Sequence, residues 1–320
     1  MKLVVITGCL GLIGHHVTRE CLAMGYRVYG VDRLTYAANY QYIADLSKHK
    51  GFTFIKGDIA TLDYLPDCDY VINIAAESHV GNSIVSSSQF IHSNVSGVQN
   101  LLDLVRFKQG NVCNKPVLFH FSTDEVYGDI IEGAHTEEDF LKPSNPYSSS
   151  KAAADMLIYG YARTYGIDYI ILRPTNNYGV GQYPEKLIPL SVKLLMRNKK
   201  IRLHDAGEPI RNWLHAADTA RAVTTIIESG HLNEIYNVAG GFEQRNYDTV
   251  SKIIKSYFQE PLDQNMDISD YIDLSHVRQG QDVRYALNDN KLRSLGWEPQ
   301  RVFDEEIKNI VDYYKNNFKW

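Results

Sequence analysis

Apolar residues in the first half of the chain fall into two alternating patterns. Short β-branched runs occupy 3–7, 27–31, 52–55, 70–75, 117–122 and 169–173, and longer stretches between them repeat apolar positions every three or four residues. A short run without polar alternation suits a strand buried on both faces, and its alternation with helical spacing predicts a parallel, doubly wound sheet. Between the first two runs, Ile13, Val17, Cys21 and Met24 keep helical spacing and Gly25 follows where a helix C-terminal cap belongs, giving a strand–helix–strand unit. Past residue 179 the alternation weakens. There 183–197 reads as an amphipathic helix, 201–210 as a turn-rich irregular stretch, 213–229 as helical, and 235–238 as a strand able to rejoin the main sheet. The expectation is an α/β chain with a smaller C-terminal substrate-binding lobe: residues 1–180 form the sheet domain with 212–240 returning to it, and 181–211 with 241–320 form the lobe. Repeats, low-complexity tracts and linkers are not found.

A length of 320 residues, 44% of them hydrophobic and 22% charged, supports a sizeable core. The net charge of -5 provides no global basic field, which argues against nucleic acid and anionic membrane surfaces as partners. No apolar run reaches 18 residues, and the apolar start, Met1 to Gly14, lacks a basic leader and a small-residue cleavage site, so it reads as a first strand. Cys9, Cys21, Cys68 and Cys113 show neither CxxC spacing nor clustering with histidine. They are expected to be free thiols in the cytoplasm, with no metal site.

Gly8, Gly11 and Gly14 stand in GxxGxxG spacing between the first strand and its helix, with Leu12 and Ile13 inside the motif. Missing side chains let the turn close and bring backbone N–H groups and a helix N-terminus towards a pyrophosphate, the arrangement of a Rossmann-type dinucleotide site. Asp32, ending the second strand, is placed to accept hydrogen bonds from an adenosine ribose and to repel a 2′-phosphate, which favours NAD over NADP. The adjacent Arg33 could partly compensate a phosphate. Asp58 and Ile59 would flank the adenine, and Ala75 and Ala76 would lie beside the nicotinamide.

Tyr147 and Lys151 lie one helical turn apart behind Asn145 and Pro146, a suitable cap and first helical residue. An ammonium group and an oxidised nicotinamide would each favour the phenolate, making Tyr147 a usable base. Thr123, Asp124 and Glu125 follow the fifth strand, where ligands bind in doubly wound sheets. Thr123 can bond a sugar hydroxyl, while two adjacent acids can divide the roles of proton donor and base because repulsion separates their proton affinities. An acid–base pair beside a redox site points to elimination coupled to transient oxidation.

With these residues in hand, the sequence closely resembles the nucleotide-sugar 4,6-dehydratases of the extended short-chain dehydrogenase/reductase type, whose best-known activity is on dTDP-glucose. The resemblance rests on 31–37 (VDRLTYA), 75–80 (AAESHV), 122–128 (STDEVYG), 176–179 (NNYG), 184–189 (PEKLIP) and 284–286 (RYA), and runs nearly end to end. It implies that Tyr147, with Lys151 and Thr123, removes the 4-hydroxyl proton as hydride leaves carbon 4. Glu125 then takes the carbon 5 proton, Asp124 protonates the departing 6-hydroxyl, and hydride returns to carbon 6, so that tightly bound NAD ends unchanged. It also implies that Ser78 lines the sugar pocket, that Asn177, Lys186, Arg211 and Arg278 hold the diphosphate, with Leu187 and Tyr285 beside the substrate, and that 90–107 and 148–165 pair two copies through a four-helix bundle.

Several positions depart from the family pattern. Gly81 and Asn82 replace an Asp-Arg pair, His204 replaces the tyrosine expected to stack on thymine, Asn212 replaces an aspartate, and Gln279 replaces a proline. These favour a UDP-sugar, with UDP-N-acetylglucosamine ahead of UDP-glucose because a small residue at 81 could admit a 2-acetamido group. dTDP-glucose is the alternative substrate, and carbon 5 epimerisation is left open. A UDP-sugar 4-epimerase would use Tyr147, Lys151 and Thr123 without needing both acids, decarboxylating relatives carry serine in place of Asp124, and a non-catalytic NAD sensor would not need the intact set.

Overall fold

The computed structural model describes residues 1–109, 116–261, 266–277 and 282–318. Cys113, Gln279 and Arg278 lie outside the described residues. In chain order the strands are β1 (Leu3–Thr7), β2 (Arg27–Asp32), β3 (Phe52–Lys56), β4 (Tyr70–Asn73), β5 (Val117–Phe121), β6 (Tyr169–Pro174), β7 (Asn176–Tyr178), β8 (Ile201–His204), β9 (Ile210–His215), β10 (Glu234–Val238), β11 (Phe242–Arg245) and β12 (Ile272–His276). The helices are α1 (Leu12–Ala23), α2 (Gln41–Leu46), α3 (Val80–Val85), α4 (Ser88–Phe90), α5 (Gly97–Gln109), α6 (Pro146–Tyr165), α7 (Leu187–Met196), α8 (Ala216–Ser229), α9 (Asn246–Phe258), α10 (Asn290–Arg293) and α11 (Phe303–Asn317). A π-helical stretch, Ile91–Ser96, joins α4 to α5.

Seven strands form one sheet in the order β3-β2-β1-β4-β5-β6-β10, every pair parallel. Chain direction across the sheet reverses between β1 and β4. That switch point opens a crevice at the carboxyl ends of the strands, where ligands bind in such sheets. Both faces are covered: Val4, Ile6, Phe119 and Leu172 pack with α1 and α8, and Val5, Val71, Leu118 and Ile171 pack with α5 and α6. Double burial explains why these strands read as unbroken apolar runs.

A second core gathers α7, α9, α11, β8 and β9 around Ile188, Val192, Trp213, Ile253, Phe303 and Ile310. Here three of the sequence expectations shift. The first helix begins at Leu187 rather than 183, because Pro184 disfavours helical backbone at the residue before it and the chain instead turns, with Lys186 N–H donating to Tyr183 C=O at 3.2 Å. The stretch expected to be irregular contains β8, paired with β12, and the start of β9. Residues 213–215 finish β9 between β7 and β11, and the helix starts only at Ala216, capped by the His215 ring, which accepts from Ala217 N–H at 3.2 Å.

Candidate active site

One cleft of about 590 Å³ opens at the switch point, and the described residues nominated above for catalysis, cofactor and substrate line it. Its floor is the glycine loop. Gly8 adopts φ +69°, and a Cβ there would lie 2.8 Å from the Ala75 nitrogen; one on Gly14 would lie 1.9 Å from the Gly8 carbonyl oxygen. Only hydrogen fits at both positions, so the loop holds β1 against the end of β4 and aims the N-terminus of α1, capped by Gly11 backbone alone, into the cleft. Those residues fit a dinucleotide pyrophosphate.

At the adenosine end, the Asp32 carboxylate accepts from Leu10 N–H at 3.2 Å and Leu34 N–H at 2.9 Å, which orients it at the end of β2. Arg33 is committed elsewhere: its guanidinium pairs with Asp58 at 3.2 Å and Glu77 at 2.5 Å, and His92 also meets Asp58 at 3.2 Å. Two carboxylates already neutralise the cation that a 2′-phosphate would need. The chain's own residues therefore suit NAD.

Tyr147 and Lys151 sit on the first turns of α6. That helix starts where it does because the Asn145 side chain accepts from Ser148 N–H at 3.0 Å, Ser148 Oγ accepts from Asn145 N–H at 3.2 Å, and Pro146 presets the first helical residue. Asp124 and Glu125 begin a short 3-10 turn after β5, with Thr123 as its cap accepting from Glu125 N–H at 3.3 Å. The Thr123 hydroxyl donates to Asp124 Oδ1 at 3.0 Å, whereas buried Asp124 Oδ2 has no partner. Glu125 is steadied by Asn145 Nδ2 at 3.3 Å, while the nearby Tyr285 hydroxyl gives its proton to Asp282.

Burial, then the charge of Glu125, pushes Asp124 up to about 7. Burial also raises Glu125, against the Asn145 hydrogen bond and the charge of Arg211. Asp124 thus holds a proton near neutrality, which makes it the better acid. The Tyr147 phenol is held well above its usual range by burial and by Glu125, with a Thr123 hydrogen bond opposing. The protein's own charges do not generate the expected phenolate. Lys151, 2% exposed, is pushed down to about 8 by burial, with Asp155 opposing.

The phosphate-side residues are partly engaged. Lys186 Nζ donates to Ser78 O at 2.9 Å and Ser78 Oγ at 3.2 Å, Asn177 Oδ1 accepts from Thr219 at 2.6 Å, and Arg211 donates to Ile210 O at 2.7 Å. His204 lines the cleft from β8, its ring edge-on to His276 at 6.4 Å. Sequence reasoning missed Glu77, which occupies Arg33, and the buried array of Asn73, His120, Asp155 and Arg173 behind Lys151. These lie on separate elements, and only lone polar residues inside apolar runs hinted at them.

Comparison with known proteins places this geometry. Residues 5–310 match the family model described as GDP-mannose 4,6 dehydratase. A dTDP-glucose 4,6-dehydratase of Streptomyces niveus is 35% identical over 331 residues, covering 99% of this chain and 94% of that protein. A trifunctional UDP-glucose 4,6-dehydratase, 3,5-epimerase and reductase of Arabidopsis thaliana is 34% identical, with 100% of this chain covering 48% of it. The crystal structure of a dTDP-glucose 4,6-dehydratase from Streptomyces venezuelae, with NAD bound, superposes with a TM-score of 0.90 at 35% identity, covering 98% of this chain and 97% of that one. The chain belongs to the nucleotide-sugar 4,6-dehydratases of the extended short-chain dehydrogenase/reductase fold.

Proposed function

We propose that this dehydratase acts on a UDP-hexose of gluco configuration, UDP-N-acetylglucosamine or UDP-glucose, and forms the 4-keto-6-deoxy sugar with NAD as cofactor. The observation that carries the chemistry is the convergence of Thr123, Asp124, Glu125, Tyr147 and Lys151 on one cleft wall. The glycine loop and Asp32 would hold NAD, which would supply a hydride acceptor for carbon 4 and, once reduced, a hydride donor for carbon 6. Tyr147 accepts the 4-hydroxyl proton, aided by Lys151, while Thr123 orients that hydroxyl. The 4-ketone acidifies carbon 5; Glu125 removes its proton, Asp124 passes its own proton to the 6-hydroxyl, which leaves as water, and a proton returns to carbon 5 as carbon 6 is reduced. Burial excludes bulk solvent from Asp124 and keeps it protonated for that step.

On the nucleotide side, Asn177, Lys186, Arg211 and Arg278 are assigned to the diphosphate, with Ser78, Leu187 and Tyr285 lining the substrate path. The UDP assignment rests on His204, expected to meet the base, and the acetamido preference on Gly81, which presents no side chain to the cleft. A second reading, dTDP-glucose, is favoured by the names of the bacterial relatives. Incubation of the purified protein with UDP-glucose, dTDP-glucose and UDP-N-acetylglucosamine, followed by mass spectrometry for loss of water and NMR at carbon 5, separates them. Turnover of UDP-sugars is expected. Turnover confined to dTDP-glucose overturns the UDP assignment, and turnover confined to the two glucose nucleotides removes the acetamido sugar.

The assembly assigned here is a homodimer, formed by α5 and α6 with the same helices of a second copy. Its support is a set of apolar side chains left in solvent on adjoining elements: Val85 is 88% exposed, Ile91 49%, Phe107 67% and Met156 50%.

A further inference from the structure

Behind Lys151 the sheet carries buried polar side chains that the chemistry above leaves unused. Thr7, Asn73 and His120 stand side by side in register on β1, β4 and β5, each no more than 1% exposed. Their hydrogen-bond directions are determined from one end. The Thr7 hydroxyl accepts from the N–H groups of Ile74 and Ala75, both at 3.2 Å, so its single proton goes to Asn73 Oδ1 at 2.7 Å. With its oxygen accepting, the Asn73 amide presents its nitrogen to His120 Nδ1 at 3.1 Å and donates. Nδ1 is therefore a lone pair, and the neutral ring carries its proton on Nε2. That Nε2 lies 3.4 Å from Lys151 Nζ and 4.0 Å from Asp155 Oδ1, a carboxylate oxygen with no hydrogen-bond partner.

The groups around Lys151 are few. Tyr147 and Asp155 lie one turn to either side on α6, His120 faces it from β5, and Arg173 on β6 pairs with Asp155 at 3.0 Å. Asp155 favours the ammonium form, but its charge is shared with Arg173. Burial, Lys151 and Arg173 together hold His120 neutral.

We propose that the Thr7–Asn73 pair locks His120 in its Nε2–H tautomer, so that Lys151 faces an N–H donor where the other tautomer would offer a lone pair, and that His120 is thereby a positioning residue weakening the hold of Lys151 on its proton. The ammonium form of Lys151, which favours the Tyr147 phenolate, is then lost at a lower pH than it would be beside a lone pair, so His120 sets the upper pH limit of that charge. The inference rests on the reading of Lys151 as the partner of Tyr147.

The test is made on the whole protein without substrate, so its failure leaves the dehydratase reading intact. ¹⁵N-histidine NMR of the unaltered chain is expected to find His120 neutral with its proton on Nε2 between pH 6 and 8. In Asn73→Asp, a carboxylate accepts from Nδ1–H and the tautomer inverts; the Lys151 titration, followed at ¹³Cε and assigned with Lys151→Met, is expected to rise by about one pH unit. The double variant Asn73→Asp/His120→Phe reports the direct field of the new carboxylate, and its shift is expected to be smaller. An Nδ1–H tautomer or an imidazolium in the unaltered chain overturns the proposal, as does a double variant whose Lys151 shift equals that of Asn73→Asp alone.

Discussion

At the scale of single residues, Asp124 and Glu125 differ by surroundings more than by chemistry. Asp124 keeps one oxygen bonded to Thr123 and the other unpartnered, while Glu125 is held by Asn145. An acid whose folded value is near 7 carries its proton below that pH and loses it above, so water elimination should fall as pH rises through about 7, while oxidation at carbon 4 does not share that limb. In Asp124→Asn, rapid-scan absorbance at 340 nm is expected to record accumulation of reduced cofactor, and formation of the 4-keto-6-deoxy product should drop by about 10²- to 10⁴-fold. Undiminished product would remove Asp124 from the acid role.

At the scale of elements, the reactive geometry depends on how α6 begins. Its capping box satisfies backbone N–H groups that burial would otherwise strand, and the same Asn145 amide also reaches Glu125. Asn145→Ala is therefore expected to cost about 1–2 kcal/mol in denaturant unfolding and to slow carbon 5 deuterium exchange, whereas a pure cap would affect stability alone. The contact of α1 with α2 holds a different liability. His15 stacks on Tyr42 at 3.6 Å, its Nδ1 buried without a partner, and burial pushes it down to about 4. A histidine kept neutral in the folded state gains protons only after unfolding, so stability is lost as pH falls from about 6.5 towards 4, at about 1.4 kcal/mol per pH unit. His15→Phe keeps the stack without the base; its unfolding midpoint should fall less between pH 7 and 5 than that of the unaltered chain.

At the scale of the whole molecule, separate apolar cores lie under one cleft, and several large apolar side chains face solvent. If α5 and α6 pair two copies, Met156→Glu places a charge in that contact, and light scattering should find the mass halved while the isolated protomer keeps its fold by circular dichroism. Among the described residues, no helix is long and apolar enough to cross a membrane.

The parts that could be read in advance share one property: they are local. β1, β2, β5 and β6 appear as apolar runs because both faces of a central parallel strand are buried, and the glycine loop, the 123–125 acids and the Tyr147–Lys151 spacing lie within a few residues of the elements that present them. What escaped is what distant segments decide together. β8 and β9 find their partners in β12 and in β7 and β11, far along the chain, so no periodicity of their own announces them. Arg33 looked available for a phosphate until Glu77 came beside it, and the direction of the Tyr147 shift depends on burial that only packing creates. The amino-acid sequence by itself determined the sheet, the dinucleotide loop and which polar residues stand at the strand and helix ends that face the cleft, since each follows from backbone preference and short spacing. The tertiary structure alone decided which of those groups hold protons and which are already paired, since that depends on desolvation and on neighbours supplied by other strands.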